Sequence, residues 1–123
     1  MGQSSGRQEE AVTEQRFTRA VEWMRSKDFG EREKGFDFLR EHADSYVDEL
    51  IDALAREDDP GFRCLLLELI AEARAPQALP TLTRHLDTMD ESLRFWAVRG
   101  LEMLGTREAD QALAQARAEG RIF

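Results

Sequence analysis

The stretch DESLRFWAVRGLEMLGT, residues 90–106, decides the fold of this chain. Within it, Leu101 follows Val98 by three residues and Ala97 by four. This is the spacing of apolar residues along one face of an amphipathic helix. Asp90 precedes these positions, where a carboxylate can cap the free N–H groups of a helix start, and Gly105 follows them. The stretch therefore predicts a helix over 90–104.

The same pattern recurs twice toward the N-terminus, at an offset of 31 residues. Each copy has an Asp four residues before an Arg, followed by positions on one helix face. The aligned columns are Asp28, Asp59 and Asp90; Arg32, Arg63 and Arg94; Gly35, Leu66 and Ala97; Phe36, Leu67 and Val98; Phe38, Leu69 and Gly100; and Leu39, Ile70 and Leu101. Columns that are filled three times indicate an internal repeat.

A further helix precedes each of these repeated helices. The apolar positions of this helix in the second and third copies align at an offset of 32 residues. The aligned pairs are Val47 and Leu79, Leu50 and Leu82, and Leu54 and Leu86. We therefore predict an all-α fold of three helical hairpins plus a C-terminal helix. The seven helices are expected near 8–26, 29–43, 45–57, 60–74, 76–87, 90–104 and 106–119. Residues 1–8 are expected to form a flexible tail, and 9–120 a single domain with repeats at about 9–43, 44–74 and 75–105, followed by the terminal helix 106–119.

The D-x-x-x-R, A-x-x-x-L and L-G-T elements of residues 90–106 resemble a bacterial HEAT repeat, a helical hairpin of about 31 residues. The resemblance covers roughly residues 12–119 and weakens toward the N-terminus, where the first helix is expected to act as an atypical cap. It implies an α-α superhelix, or solenoid, whose second helices line a concave face and bind a protein partner. A resemblance of this kind is specific for architecture and implies no catalytic activity.

The columns that the repeat does not reserve for its core are the candidate partner-binding residues. They form three stripes with the helical spacing i, i+3, i+7. These stripes are Lys34, Asp37 and Glu41; Leu65, Glu68 and Glu72; and Trp96, Arg99 and Met103. The first stripe is charged, whereas the last carries large apolar side chains, so the C-terminal end is the better candidate for an interaction hot spot. Trp96 is equally consistent with a core position under the terminal helix, and Phe95 is expected to be buried there.

The polar columns have a structural interpretation. An Asp at the start of a helix caps its N–H groups and favours the positive end of its dipole. We expect each Arg to pair with the Asp of its own or a neighbouring repeat, so that the pairs form a ladder along the stack.

Acidic charge is concentrated in residues 41–60. This window holds eight acids against one base, Arg56, and so accounts for −7 of the net charge of −8. The window is either a solvated face that keeps the protein soluble or a docking patch for a basic protein. An acidic surface argues against nucleic acid and against anionic membranes as partners, since both are bound through Lys and Arg.

No motif for catalysis, phosphate binding or metal binding is present in the sequence. We therefore expect no enzyme activity, no cofactor and no metal. His42 shares a column with Ala73 and Leu104 and is expected to be a half-buried packing residue, while His85 is expected at the surface. Cys64 has no candidate base beside it, which argues against a reactive thiolate.

The leading hypothesis is a non-catalytic module that binds a protein partner. A sharper version is an immunity or inhibitor protein that neutralises a basic toxin, because small acidic helical-repeat proteins resemble some bacterial immunity proteins. An alternative is homodimerisation through Leu65, Trp96, Met103 or the tail from Arg121 to Phe123.

Enzymes with HEAT-like folds form a third class. Relatives that act as DNA glycosylases need a basic groove, whereas the expected concave face is mainly acidic, and three repeats are few for a bilin lyase. The N-terminus lacks an apolar core of the signal-peptide type, and no stretch approaches the roughly 18 apolar residues of a membrane span. We expect the protein to be cytoplasmic.

Overall fold

A computed structural model describes the backbone of residues 3–123 and the side chains from Val12 onward. Over this range the chain is helical and contains no strand. The helices are α1 (Gln3–Met24), α2 (Phe29–Glu41), α3 (Val47–Arg56), α4 (Pro60–Ala73), α5 (Leu79–Arg84), α6 (Glu91–Leu104) and α7 (Arg107–Ala118). The predicted all-α fold with seven helices is therefore confirmed. None of these helices is long and apolar enough to span a lipid bilayer.

Capping residues in the sequence mark where helices begin and end. Asp28, Asp59 and Asp90 are the N-caps of α2, α4 and α6, and each side chain accepts a hydrogen bond from a main-chain N–H of its first turn. Gly105 ends α6 in the left-handed region, with a φ of 61°, a conformation that glycine adopts without steric cost. The expected capping role of the repeated Asp column is thus confirmed. Short 3₁₀ turns at Ala43–Ser45, Pro76–Ala78 and His85–Asp87 complete the connections.

The chain divides into two compact units between His42 and Ala43. In the N-terminal unit α1 packs against α2. In the C-terminal unit α3 packs on α4, α5 on α6, and α4 and α6 lie side by side, while α7 contacts α6 and α5. The predicted tail at 1–8 includes residues 1 and 2, which lie outside the described part of the chain, and α1 begins at Gln3.

Leucine forms most of the core of the C-terminal unit. The large side chains that are fully buried in this unit come from both helices of each hairpin. They are Val47, Leu50, Leu54, Leu66, Leu67, Leu69, Ile70, Leu82, Leu86 and Leu101. Burying one such side chain stabilises a fold by about 1.5–3 kcal/mol. The repeat columns therefore correspond to the residues that hold the hairpins together.

Candidate interaction surface

The stripe on α2 is fully polar. Lys34, Asp37 and Glu41 are all exposed, on a helix whose buried positions are Gly35 and Leu39. Exposed charged side chains contribute little binding energy by themselves. In the N-terminal unit, this stripe therefore provides polar contacts but no apolar anchor.

The stripe on α4 combines one apolar side chain with two acids. Leu65 is 37% exposed, and Glu68 and Glu72 are half-buried on the same helix. The positions between them, such as Leu66, Leu67 and Leu69, are fully buried. α4 thus presents a narrow strip bordered by carboxylates.

The stripe on α6 carries the largest side chains. Trp96 and Met103 are half-buried and Arg99 is exposed. Phe95 is 59% exposed, so the expectation that it is buried was wrong. Its ring meets that of Trp96 edge to face, with centroids 5.2 Å apart and planes at 84°. This geometry is favourable for aromatic pairs and fixes one ring beside the other.

Phe95 remains exposed because α7 covers other parts of the unit. The buried residues of α7 are the small Ala109 and Ala116 together with Leu113. After α7 the chain forms a groove with Phe95 and Val98 on one wall and Ile122 and Phe123 on the other. The groove has a volume of about 370 Å³ and is bordered by Glu91 and Arg94.

Two arginines fix the segment that follows α7. Arg117 donates through Nε to the main-chain oxygen of Phe123 at 3.1 Å. Arg121 pairs with Asp87 through Nη1, and this hydrogen bond raises the pKa of Arg121 above its ordinary value. Sequence periodicity does not predict the Arg121–Asp87 contact, because the two residues are 34 positions apart and are brought together by the fold and not by a helix turn.

The repeated arginines differ from expectation. Arg63 donates through Nη1 to the main-chain oxygens of Leu54 and Glu57, at 2.7 and 2.8 Å. Arg94 donates to the main-chain oxygen of Thr88 at 3.0 Å. Arg32 reaches the oxygens of Ser26 and Lys27 at 3.3 and 3.4 Å. The predicted ladder of Asp–Arg pairs was therefore wrong, and these arginines instead bind carbonyl groups of the segment that precedes their helix.

The two histidines also occupy environments that the sequence did not predict. His42 is exposed, and its ring lies 4.6 Å from that of Phe38. His85 is half-buried, and its ring joins the main-chain oxygen of Thr81 at 2.7 Å to Nη2 of Arg63 at 3.3 Å. The expectations of a packing His42 and a surface His85 were both wrong.

Cys64 is half-buried on α4. Burial raises the pKa of its thiol, and the carboxylates of Asp90 and Glu68 raise it further. Each of these causes disfavours the thiolate, which is the nucleophilic form. Over the side chains that the structure describes, no three His, Cys, Asp or Glu residues form a group that could hold a metal ion.

A comparison with protein families identifies the architecture. The model of HEAT repeats matches residues 47–121, from the start of α3 to the segment beyond α7. The chain belongs to the HEAT-repeat family. HEAT repeats mediate protein–protein interaction and the family is generally non-catalytic, so the exposed faces of α4 and α6 are the first place to look for a partner site.

Neither the curated proteins nor the solved structures provide a match to this chain. The family match therefore supports the repeat architecture and a protein partner as a class. The candidate site itself is built from the described side chains of α4, α6 and the segment after α7.

Proposed function

We propose that this HEAT-repeat protein is a non-catalytic binding module and that its partner docks on the second helices of the C-terminal unit, α4 and α6, with Phe95 and Trp96 of α6 as the anchor. The observation that carries the proposal is the exposure of Phe95, 59%, in edge-to-face contact with Trp96. An exposed phenylalanine that packs against a half-buried tryptophan is the kind of aromatic cluster found at interaction hot spots.

The surroundings of the pair support the same function. Arg99 is exposed on the same helix and Arg94 borders the groove beside Phe95. Leu65 occupies the position on α4 that Trp96 occupies on α6, and it too is exposed. A rim of charged side chains around apolar anchors is the common anatomy of a protein interface.

The test compares capture by matched variants. The immobilised chain, Phe95→Ala and Phe29→Ala are each incubated with lysate of the native host. Phe29 is a suitable control because it is also an exposed phenylalanine, at 65%, but lies on α2 in the other unit. A protein retained by the parent and by Phe29→Ala, but lost by Phe95→Ala, supports the proposed surface. Equal retention by all three contradicts it.

A basic partner is favoured by the charge of the acidic window. In the C-terminal unit its exposed members are Asp44, Asp48, Asp52, Asp58 and Asp59. Such a field would attract a basic protein, as in an immunity protein that neutralises a basic toxin in the cytoplasm. Affinity for the captured partner should then fall as salt rises from about 50 to 500 mM, because ions screen the attraction. An affinity that salt leaves unchanged contradicts a basic partner.

Self-association is the competing use of the same aromatic pair. Two copies joined through Phe95 would bury its ring in a symmetric contact. Measurement of the mass in solution separates the two cases. A dimer that Phe95→Ala converts to a monomer contradicts a surface reserved for another protein, whereas a monomeric parent agrees with it.

A further inference from the structure

A cavity in the C-terminal unit lies apart from the aromatic pair, between α3, α4 and α5. Its volume is about 240 Å³, below the 300–1,000 Å³ typical of sites for drug-sized ligands. It is lined by Ile51, Leu54, Ala55, Arg63, Thr81, Arg84 and His85.

The charge of this cavity is opposite to that of its surroundings. Residues 43–123 contain sixteen acids and nine arginines, a net charge of −7. Of the described residues that line the cavity, two are arginines, one is a histidine and none is acidic. Cationic groups that converge on one concave site are the arrangement that binds an anion.

The hydrogen bonds leave donors for such an anion. Arg63 uses Nη1 for the oxygens of Leu54 and Glu57, and Nη2 for His85. The hydrogen bonds that the structure describes therefore use three of the five N–H groups of the guanidinium and leave two for a ligand. Arg84 is exposed and is positioned by a 3.4 Å contact from Nη2 to the hydroxyl of Thr81. Its other N–H groups complete the donor set.

His85 acts as a support in this arrangement. The carbonyl of Thr81 can only accept, so Nδ1 of His85 carries the proton. A guanidinium can only donate, so Nε2 accepts from Arg63. The histidine therefore orients the Arg63 guanidinium.

The apolar lining residues of the cavity favour a ligand whose anionic group is attached to an apolar group. Ile51 is half-buried and Ala55 is exposed on α3, and the buried Leu54 lines the cavity with them. A fully hydrated ion would leave this apolar wall without a contact. We propose that the cavity binds a carboxylate carried on a small apolar group, which is the chemistry of a short-chain acid or of the C-terminal residue of a polypeptide. This site is independent of the proposed interaction surface.

The test is an NMR titration at constant ionic strength and pH 7.5 that follows the Arg Nε–H and His85 ring signals. The probes are butyrate and N-acetylleucine, which represent a free acid and a chain end, and N-acetylleucinamide, which lacks the carboxylate. We expect one of the two carboxylate probes to bind saturably with a Kd on the order of millimolar. The binding is this weak because the acidic side chains of the surrounding protein repel the carboxylate of the probe. The tighter of the two acids identifies the source of the ligand.

Variants that each remove one arginine separate a site from a general effect of charge. Arg84→Ala should weaken binding by about fivefold or more, the loss of one charge-assisted hydrogen bond. Arg56→Ala is the control, since Arg56 is exposed on α3, pairs with Asp52 at 3.6 Å and does not line the cavity. Absence of saturation with both acids, equal binding of the amide, or equal weakening by the two variants would each overturn the proposal.

Discussion

Arg63 donates from Nη1 to the main-chain oxygen of Leu54 at 2.7 Å, and this bond joins the first turn of α4 to the last turn of α3. A second bond from the same nitrogen reaches Glu57, the residue that caps α3. The last carbonyls of a helix have no partner within it, and a cation there also favours the negative end of the dipole. Arg63 therefore holds the two helices of the hairpin at a fixed separation at one end.

The first prediction concerns Arg63 and its neighbour in the repeat, Asp59. Arg63→Met should lower the free energy of unfolding by about 1–3 kcal/mol, because the carbonyls of Leu54 and Glu57 lose a charged donor. Asp59→Ala should cost about 1 kcal/mol through loss of the α4 cap. Since the two side chains serve different main-chain groups, the coupling energy that urea unfolding of the double variant measures should stay below about 1 kcal/mol.

The control for the first prediction is Arg56→Met on the exposed face of α3, which should change stability by less than about 0.5 kcal/mol. A coupling between Asp59 and Arg63 that exceeds 1 kcal/mol, on the order of a buried ion pair, would restore the ladder that the sequence suggested.

The sequence predicted those features that depend on local geometry. Asp28, Asp59 and Asp90 precede apolar periodicity, and an acidic side chain in that place has one favourable use, which is the cap. The seven helices follow from the same periodicity, and their ends differ from the predicted ones by a few residues. Local rules therefore predict the helices of this chain.

Features that depend on a shift of one residue or on distant packing were not predictable. His42 shares a column with Ala73 and Leu104, each the last residue of its helix, but α2 already ends at Glu41. His42 is therefore the residue that caps α2 and turns to the surface. Phe95 was assigned to the core because a terminal helix follows, yet its burial depends on which residues of α7 face inward. Periodicity carries no information about that choice.

The second prediction concerns two glycines in the repeat columns. A Cβ added to Gly35 would meet the main-chain oxygen of Ala20 and lie 2.9 Å from the nitrogen of Met24. A Cβ on Gly100 would lie 2.7 Å from a methyl group of Leu82. Backbone atoms of α1 cannot move without separating the hairpin, whereas a leucine side chain can change its rotamer. Gly35→Ala should therefore destabilise the fold more than Gly100→Ala, which should cost about 1–3 kcal/mol.

Thermal unfolding monitored by circular dichroism measures both glycine variants. Gly61→Ala is the matched control, because it lies in the exposed first turn of α4 with only the Asp59 side chain nearby, at 3.4 Å. This change should be neutral or stabilise the protein by up to about 1 kcal/mol, since alanine favours helix. A Gly35→Ala protein as stable as the parent would show that α1 and α2 do not pack as described.

The third prediction concerns the cap of α6. The carboxylate of Asp90 accepts from the N–H groups of Ser92 and Leu93, at 2.9 and 3.1 Å. Asp90→Ala should lower the free energy of unfolding by about 1 kcal/mol, and Asp90→Asn by less, because the amide oxygen still accepts. Urea unfolding of the two variants measures the difference. Equal losses would mean that charge and not hydrogen bonding determines the effect.

The fourth prediction concerns the thiol of Cys64. Burial is the largest cause of its raised pKa, followed by the carboxylates of Asp90 and Glu68. At pH 8, iodoacetamide should therefore alkylate the folded protein more slowly than the same chain unfolded in urea, because the folded state holds less thiolate. Glu68→Gln removes one negative charge, lowers the pKa toward its ordinary value and should raise the rate by about two- to threefold.

The comparison that isolates the electrostatic effect on Cys64 is Glu72→Gln. Glu72 lies one turn beyond Glu68 on α4 and is not among the causes of the raised pKa of Cys64. Its neutralisation changes the net charge equally and should leave the alkylation rate within about 1.5-fold of the parent, since its field at the sulfur is weaker with distance. A raised pKa in the folded state favours the thiol over the thiolate. The alkylation rate should therefore begin to rise at a higher pH in the folded chain than in the unfolded chain. Equal acceleration by both glutamine variants would mean that net charge, and not the carboxylate of Glu68, sets the reactivity of this cysteine.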